Sequence, residues 1–466
     1  MPLREVYPAC AAPVTPLFAK EVWEVVSGRA LWVLVLLLGP VVGYSFFQAV
    51  SLYAEASSAA RDSPILATGL SPLDGILVPT LGAFYVMVTL LFPFVAIRVL
   101  GQEKESGALR LLAQLPYRSP TLVAVKLAAI LVAWCVALIP VLSTLVIWEL
   151  LGGHLFPPET LNLFLGHLLY GLLIGAIALF AASVAESAAT AAIIALAFTI
   201  GSWVLDFTAA GRPGFLDWLS RLSLTQTLRT FERGLFSAGL VLGMTAIILG
   251  FAALCSIWLP PGVKLRVKLR NSLVCVVSML AALLAATQIK LSIDVTEDRR
   301  NSFPAADQRA LSELRQPLAI TVHLAPEDPR YADLQRNVLS KLERTLPNVT
   351  IRLAGKSQTV IGRSADEAYG EVEYVYASHT AKSRSSSHRE ILPVLYQLAN
   401  LPPPTPLSSD DYPGYPAVAD AEASLLWFFG GLPLLILITW WRVRRPPRIS
   451  ELRPTMEVSH EAPTPR

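Results

Sequence analysis

Long apolar stretches alternate with short charged ones along most of the chain. A helix needs about 20 predominantly apolar residues to cross a bilayer, and it satisfies its own backbone hydrogen bonds there. The pattern therefore predicts eight membrane-spanning helices, of which the fourth and fifth form a hairpin that turns at Glu186. The windows that contain no Asp, Glu, Lys or Arg are 31–53, 75–97, 127–148, 161–185, 187–205, 235–259, 271–289 and 423–441.

Composition supports a membrane protein and argues against several other classes. Charged residues make up 16% of the chain, whereas soluble domains usually carry about 25%. A net charge of +3 does not indicate a nucleic-acid partner. The four cysteines have neither metal-ligand spacing nor a disulfide framework. Charges and prolines precede the first apolar stretch at Leu31, so the N-terminus is unlike a signal peptide.

The distribution of Lys and Arg predicts the orientation of the spans. Basic residues concentrate in the N-terminal segment, in 98–126, in 260–270 and in the C-terminal tail, whereas the short loops on the opposite side hold one Arg between them. Cytoplasmic loops carry the excess of basic residues. Both termini are therefore predicted to be cytoplasmic, and the long polar segment 291–422 is predicted to lie outside.

Residues 98–126 form a charged island between two apolar spans. Within it, Gly107 and Pro116 bracket ALRLLAQLP, whose leucines recur at helical spacing. This spacing predicts a short amphipathic helix on the cytoplasmic face. From the residues alone, a docking site for a soluble partner and an ordinary solvated loop both remain open.

The island EKESGALRLLAQLP, together with the lysine that precedes the third span, resembles type-2 ABC exporter permeases. The upstream stretch PLFAKEVWEVVSGRALW resembles the amphipathic elbow helix of that family, with Gly28 in place of the usual proline. The matching island positions are Glu103, Lys104, Glu105, Gly107, Leu112, Pro116 and Lys126, and those of the elbow are Phe18, Lys20 and Glu21.

The resemblance covers about residues 15–260 and implies a function. In that family the island contacts a separate ATPase subunit, which binds ATP and transmits its closure to the spans. The resemblance also implies two permease copies in a homodimer, substrate export, and a bacterial inner membrane. It places neither an ATPase site nor a cofactor in this chain.

The polar segment 291–422 has the pattern of a small α/β domain. QPLAITVHL and NVTIRL alternate as strands, and YADLQRNVLSKLERTL between them has a helical apolar stripe, which together predict a βαβ unit. YGEVEYVYAS predicts another strand, and SSSHREILPVLYQLANL predicts a helix with a serine cap. A proline-rich linker then leads into the last span.

The start of this domain resembles the auxiliary subunit of gliding-motility-type (GldG-like) ABC systems. That subunit is longer, so the resemblance implies a fusion of a permease with a truncated auxiliary domain, which could bind a periplasmic partner. The matching residues are Asp294, Thr296, Glu297, Asp298, Arg299 and Ser302.

Several other signals carry less weight. Residues 206–234 mix Trp and Leu with polar residues, which favours short helices at the outer membrane interface over a solvated loop. TIRLAGKS lacks the first glycine of a phosphate loop and lies outside, so it is taken as chance. His154 is expected in an outer loop, and His167 within the fourth span is expected to serve packing rather than transport.

The sequence thus predicts an α-helical polytopic membrane protein with a small extracytoplasmic α/β domain, acting as the permease subunit of an ABC exporter. The alternative is a subunit that passes ATP-driven motion to periplasmic partners without moving a substrate; a membrane hydrolase is disfavoured because no catalytic constellation is present. The expected parts are a cytoplasmic N-terminus and elbow helix (1–30), a six-span permease (31–260), a basic loop with the seventh span (261–290), the auxiliary domain (291–422), the eighth span (423–441) and a cytoplasmic tail (442–466).

Overall fold

A computed structural model gives the fold for residues 14–61, 63–112, 114–209, 224–289, 291–325, 328–354, 368–405 and 412–444. Within these ranges, eight helices are long and apolar enough to cross a membrane, which confirms the predicted fold class. We call them the first to the eighth span. They are Arg29–Ala60, Leu73–Glu105, Ser119–Leu150, Pro157–Val184, Ala188–Leu205, Ala238–Trp258, Leu265–Thr287 and Glu422–Val443.

Most spans extend beyond their apolar windows, because polar residues at the ends continue the helix. The second span, for example, ends only at Glu105, and the seventh begins at Leu265 within the basic loop. The third span bends at Leu138, between the helical segments Ser119–Ala137 and Ile139–Leu150. A proline in the first turn of the second segment, Pro140, suits this break.

Shorter helices lie at the ends of the spans. The helix α1 (Val14–Ser27) precedes the first span, and α2 (Ala108–Leu112) lies between the second and third spans. Helices Pro64–Ala67 and Leu224–Glu232 lie at the opposite end of the bundle. We call the end with α1 and α2 the basic end, and the other the domain end.

The fourth span is the central helix of the bundle. Of its most apolar window 72% is buried, against 6% for the seventh span, which packs mainly on the sixth. Glycine allows close packing here: a Cβ on Gly171 would lie 2.4 Å from the ring of Trp134 on the third span. Trp134 also meets Phe84 and Phe92 edge to face, with ring centroids 5.3 and 5.1 Å apart.

The eighth span packs on the first, although the α/β domain separates it from the other seven. Phe428 is fully buried, and its ring lies 6.3 Å from that of Phe46. Gly43 makes room for it, since a Cβ at this position would lie 2.2 Å from Phe428 Cγ. Leu432 and Ile436 extend the same contact. The last span is therefore part of the bundle core.

The α/β domain contains a four-stranded sheet in the order β4-β3-β5-β6. The strands are β3 (Leu318–Val322), β4 (Val349–Leu353), β5 (Val372–Tyr376) and β6 (His379–Ser383). The pair β3–β4 is parallel, whereas β5 is antiparallel to both β3 and β6. This arrangement confirms the predicted βαβ unit and the strand after it; β6 was not predicted.

Helices cover the sheet of the α/β domain and complete its core. They are α3 (Ala305–Ser312), Pro329–Leu334 continuing through the turn Gln335–Leu339 into α4 (Ser340–Thr345), and α5 (His388–Leu398). Leucines of these helices, such as Leu311 and Leu395, are buried against β3 and β5. The helix predicted after the serine run corresponds to α5.

A two-stranded antiparallel ribbon joins this domain to the bundle. Its strands are β1 (Leu235–Ser237), just before the sixth span, and β2 (Ser292–Asp294), just after the seventh. Ala238 N donates a further hydrogen bond of 3.0 Å to Leu291 O. The sequence pattern gave no sign of this ribbon, because each strand has three residues.

Several predictions fall wholly or partly outside the described residues. Of 206–234, a helix at Leu224–Glu232 and β1 are described, whereas 210–223 lie outside. The phosphate-loop-like stretch begins in β4, but residues 355–357 are not among the described ones. Most of the C-terminal tail also lies outside them.

Adding a single methyl group at Gly43, by Gly43→Ala, tests the contact between the first and eighth spans. Gly43→Ala would force Phe428 from its site, and overpacking of this kind costs about 1–3 kcal/mol. We expect a lower Tm for this variant in detergent. Gly82→Ala is the matched control, because its Cβ meets nothing within 4 Å. Equal Tm values for the two variants would contradict the packing described.

Candidate functional site

Lys126 lies about two helical turns inside the third span, where its ammonium group is buried. Its Nζ lies 2.8 Å from Glu21 Oε2 of α1 and 2.6 Å from Glu103 Oε2 of the second span. It also donates a hydrogen bond of 3.0 Å to Val99 O. Buried charges require partners of this kind. One lysine thus links three separate segments of the chain.

Lys20 joins the same group from the half-exposed side of α1. Its Nζ pairs with Glu103 and lies 3.2 Å from both Glu21 Oε1 and Glu24 Oε2. We call Lys20, Glu21, Glu24, Glu103 and Lys126 the inner ion cluster. Two ammonium groups face three carboxylates, of which Glu24 is exposed.

The electrostatics of the two cluster residues on α1 follow from their surroundings. Burial raises the pKa of the Glu21 carboxyl, and the nearby Lys126 opposes this effect. For Lys20, burial lowers the pKa, but the hydrogen bond to Glu103 and the charge of Glu21 outweigh it, so the net pKa is raised. Lys20 therefore remains protonated, as the cluster requires.

The cluster also resembles a cation site, because carboxylate oxygens of Glu21, Glu24 and Glu103 lie within 4.8 Å of one another. The ammonium groups of Lys20 and Lys126 contact these oxygens and supply the positive charge that a metal ion would bring. We therefore interpret the arrangement as a salt-bridge network.

The sequence of α1 explains why a glutamate is buried there. Leu17, Glu21 and Val25 recur every four residues and form the buried face of the helix. Leu17 packs against Leu122 and Val125 at the start of the third span. An apolar contact thus brings Glu21 next to Lys126, which satisfies its charge.

The island between the second and third spans exposes much of its surface. Gly107 has a φ of 77°, which favours glycine, and it ends the second span. In the following α2, Leu111 is 66% exposed, and Leu115 beyond it is 47% exposed. Leu112 is half-buried beside Leu17. The amphipathic helix was predicted longer than the five residues of α2.

The structure separates the island residues named from the sequence into three groups. Glu103 and Lys126 belong to the inner ion cluster, together with Lys20 and Glu21 of the elbow. Lys104 binds the C-terminal end of the fourth span, donating to Ser183 O at 3.1 Å and Ala185 O at 2.5 Å. The exposed positions are Phe18, Glu105 and Pro116, and Gly107 is half-exposed.

The motif at the start of the α/β domain lies at the domain end of the bundle. Asp294 accepts hydrogen bonds from Thr296 N at 3.2 Å, from Thr296 Oγ1 at 2.7 Å and from Asn301 N at 2.9 Å. Asn301 Nδ2 donates to Arg233 O at 2.7 Å. These bonds fold 294–301 into a compact turn fixed to the segment before β1.

Glu297 connects this turn to two other segments. Its carboxylate accepts a hydrogen bond of 2.5 Å from the Tyr415 hydroxyl and contacts His154 Nε2 at 2.8 Å. The rings of His154 and Tyr415 stack with centroids 3.6 Å apart. Glu297 N donates to Glu159 Oε2 at 3.3 Å. The hydrogen bond to Glu297 raises the pKa of Tyr415 to about 12, which keeps its proton on the phenol.

Arg300 connects the turn to the first turn of the second span and to Ser71 just before it. Its guanidinium lies 3.0 Å from Asp298 Oδ2, donates to Ser71 Oγ at 2.8 Å and pairs with Asp74. We call Asp294, Thr296, Glu297, Asp298 and Arg300 the outer latch. The sequence motif included four of these residues, but it included Arg299 instead of Arg300. Arg299 is exposed and has a φ of 50°.

The sequence did not predict which residues pair with one another in the inner ion cluster and the outer latch. His154 was expected in an outer loop; the structure places it between the third and fourth spans, where its contact with Glu297 was not predicted. The contacts of Tyr415 with Glu297 and of Asp74 with Arg300 were likewise not predicted. A signal existed for Lys126, because a lone charge in a helix that crosses a membrane needs a partner. His167 is fully buried in the fourth span, edge to face with Phe84, as expected of a packing residue.

The inner ion cluster predicts a large stability difference between two lysine substitutions. Lys126→Met leaves the buried carboxylates of Glu21 and Glu103 with the half-exposed Lys20 as their remaining cation, and breaking a buried ion pair typically costs about 3–5 kcal/mol. Lys382→Met is the control: Lys382 is 59% exposed and pairs with Glu371 at 3.3 Å, and exposed pairs contribute about 0–1 kcal/mol. We expect a large fall in Tm in detergent for the first variant alone. Similar Tm values would contradict a stabilising network.

The outer latch predicts local opening when its central acceptor is weakened. Asp294→Asn replaces one carboxylate oxygen by an NH₂ group, so at least one amide loses its acceptor, at a cost of about 1–3 kcal/mol. We expect faster hydrogen exchange at Thr296 and Asn301. Asp328→Asn is the control, because Asp328 caps Arg330 N in the same domain at 2.9 Å. Unchanged exchange at both latch amides would refute this role of Asp294.

Comparison with known proteins identifies the part of the chain that holds the inner ion cluster. Residues 15–209 match the model of the family described as ABC-2 family transporter protein. No curated protein and no solved structure matches the chain. The matched range includes α1, the island and the first five spans. Residues 15–209 of this multi-pass membrane protein are therefore similar to an ABC-2 family transporter, the membrane permease component of an ABC transporter.

Proposed function

We propose that the chain is the membrane permease subunit of an ABC exporter, driven by a separate ATPase subunit that binds ATP. One observation carries the proposal: residues 105–112 and 114–116 are largely exposed, yet Glu103 and Lys126 on either side of them are joined through the inner ion cluster. A partner that docks on Leu111 and Leu115 would cover apolar surface that nothing in the described chain covers.

The inner ion cluster supports a mechanism for transmitting force. The second span ends at Glu105 and the third begins at Ser119, so a push on the segment between them acts on both helices. Glu103 and Lys126 hold these helices together, and Glu21 adds α1 to the same unit. In this proposal the three elements move as a rigid body when two ATPase copies close. Lys104 extends the unit to the fourth span.

Orientation and assembly complete the proposal. The basic end would face the cytoplasm, consistent with the excess of lysine and arginine there. The protein would lie in a bacterial inner membrane with both termini in the cytoplasm. A second permease copy would form a homodimer, so that two ATPases act on two islands.

The α/β domain is proposed to be a truncated GldG-like auxiliary domain fused to the permease. This proposal rests on the motif at 294–299 and on the small four-stranded sheet. The domain would lie outside the membrane and offer a surface to a periplasmic partner.

A second function is favoured by the outer latch. Arg300 pairs with Asp74 in the first turn of the second span. The Glu297 carboxylate contacts His154 before the fourth span, and Glu297 N donates to the Glu159 carboxylate in the first turn of that span. Motion of these spans would therefore displace the α/β domain. In this alternative the protein passes ATP-driven motion to periplasmic partners without moving a substrate.

Capture of the ATPase tests the proposal. The tagged full-length chain is purified from its native membrane, and the associated ABC ATPase is identified and assayed. Glu105→Arg reverses an exposed charge on the island, and Gly107→Pro forbids its positive φ. We expect both variants to lose most of the bound ATPase or its stimulation. Glu313→Arg, an exposed change in the α/β domain, is the control.

The outcomes separate the two functions. If no ATPase is captured, or if the island variants behave like the control, the permease proposal fails. If the ATPase is captured, flux of a labelled candidate substrate into inverted vesicles supports export. ATPase activity without flux, together with a partner bound through the α/β domain, supports transmission of motion instead.

A further inference from the structure

A polar pocket of about 610 Å³ lies between the β1–β2 ribbon and the helices α3 and α4 of the α/β domain. It is distinct from the inner ion cluster, and its walls come from both parts of the protein. The residues that determine its character are Leu235, Ile293, Asp294, Arg299, Lys341 and Arg344.

The pocket carries an excess of positive charge. Arg299, Lys341 and Arg344 line it, against the single carboxylate of Asp294. The oxygens of Asp294 accept hydrogen bonds from Thr296 and Asn301, and the charge of this one carboxylate is shared between Lys341 and Arg344. Glu343 beside Arg344 is exposed and does not line the pocket.

Lys341 is the buried cation of this group, with 7% of its surface exposed. Its Nζ donates to Ser302 O at 3.0 Å and lies 5.7 Å from the centre of the Phe303 ring. An ammonium group has three protons to donate. Burial lowers the pKa of Lys341, and Asp294 offsets this only in part. An anion in the pocket would stabilise the charged form of this side chain.

Apolar residues are exposed in the segment that leads from the seventh span into β2, where Ile293 lines the pocket. Ile289, Leu291 and Ile293 follow the seventh span and are 41%, 60% and 50% exposed. β1 leads into the sixth span and β2 follows the seventh, so the pocket lies at the level of the membrane surface. A cationic pocket with an apolar rim at this level suits an amphiphile with an anionic headgroup.

We propose that this pocket binds a phosphate group, presented by a membrane lipid headgroup or by a soluble phosphate ester. Arg344 at the exposed side and Lys341 at the buried side would donate charge-assisted hydrogen bonds to its oxygens. Acyl chains of a lipid would lie along Ile289 and Leu291. The site is independent of whether the island binds an ATPase.

Calorimetric titration of the full chain in an uncharged detergent tests the proposal. The probes are short-chain phosphatidylglycerol, glycerol 3-phosphate and a neutral diacylglycerol of the same chain length. We expect Arg344→Gln to weaken phosphatidylglycerol binding about tenfold, as the loss of one charge-assisted hydrogen bond does. Arg344→Lys should recover part of the loss. Arg352→Gln, an exposed arginine on β4 away from the pocket, is the control and should bind normally.

The probes distinguish the two sources of phosphate. Tight binding of phosphatidylglycerol with weak binding of glycerol 3-phosphate assigns the site to a lipid, and equal binding of the two assigns it to a soluble ester. If the diacylglycerol binds as tightly as phosphatidylglycerol, or if Arg344→Gln and Arg352→Gln bind alike, the phosphate site is refuted. Arg344 is exposed and donates one hydrogen bond of 2.5 Å to Asn301 O, so Arg344→Gln removes this surface contact and leaves the apolar core of the domain intact.

Discussion

A charge inside a membrane-spanning helix must be paired, and Lys126 shows how much structure this constraint determines. Removing an ammonium group from water costs several kcal/mol unless carboxylates compensate for it. Here the compensation comes from α1 and from the end of the second span. Together with the apolar contact of Leu17 with Leu122 and Val125, this pairing holds α1 and the second and third spans together at the basic end. If the pair separates, these elements lose their main polar restraint.

The two ends of the bundle are held by different chemistry. At the basic end, full charges are buried and directly paired. At the domain end, the outer latch consists mostly of backbone and side-chain hydrogen bonds around Asp294 and Glu297, with one arginine reaching Asp74. Contacts of the second kind are partly exposed, so they exchange with water more readily. The contacts at the basic end are therefore the more rigid of the two, and those at the domain end open more readily.

Local patterns in the sequence predicted much of this architecture, because hydrophobic period and length are properties of neighbouring residues. The eight spans, the parallel β3–β4 pair and α5 all follow from such patterns. The pairing of Glu21 with Lys126 joins residues 105 positions apart, and no local pattern specifies it. The ribbon β1–β2 was not predicted for a related reason: strands of three residues are too short to show a hydrophobic period. The resemblance to known permeases named both charges, but geometry was needed to bring them together.

The contact of Gly43 with Phe428 has a consequence for how the chain assembles. During synthesis the first span enters the membrane early, whereas its partner in the eighth span emerges only after the whole α/β domain has been made. Until then the narrow strip beside Gly39 and Gly43 faces lipid or another protein. A chain that stops before residue 422 would keep the family-matched domain but lack this closing helix. Completion of the bundle must therefore wait until the whole α/β domain has been synthesised.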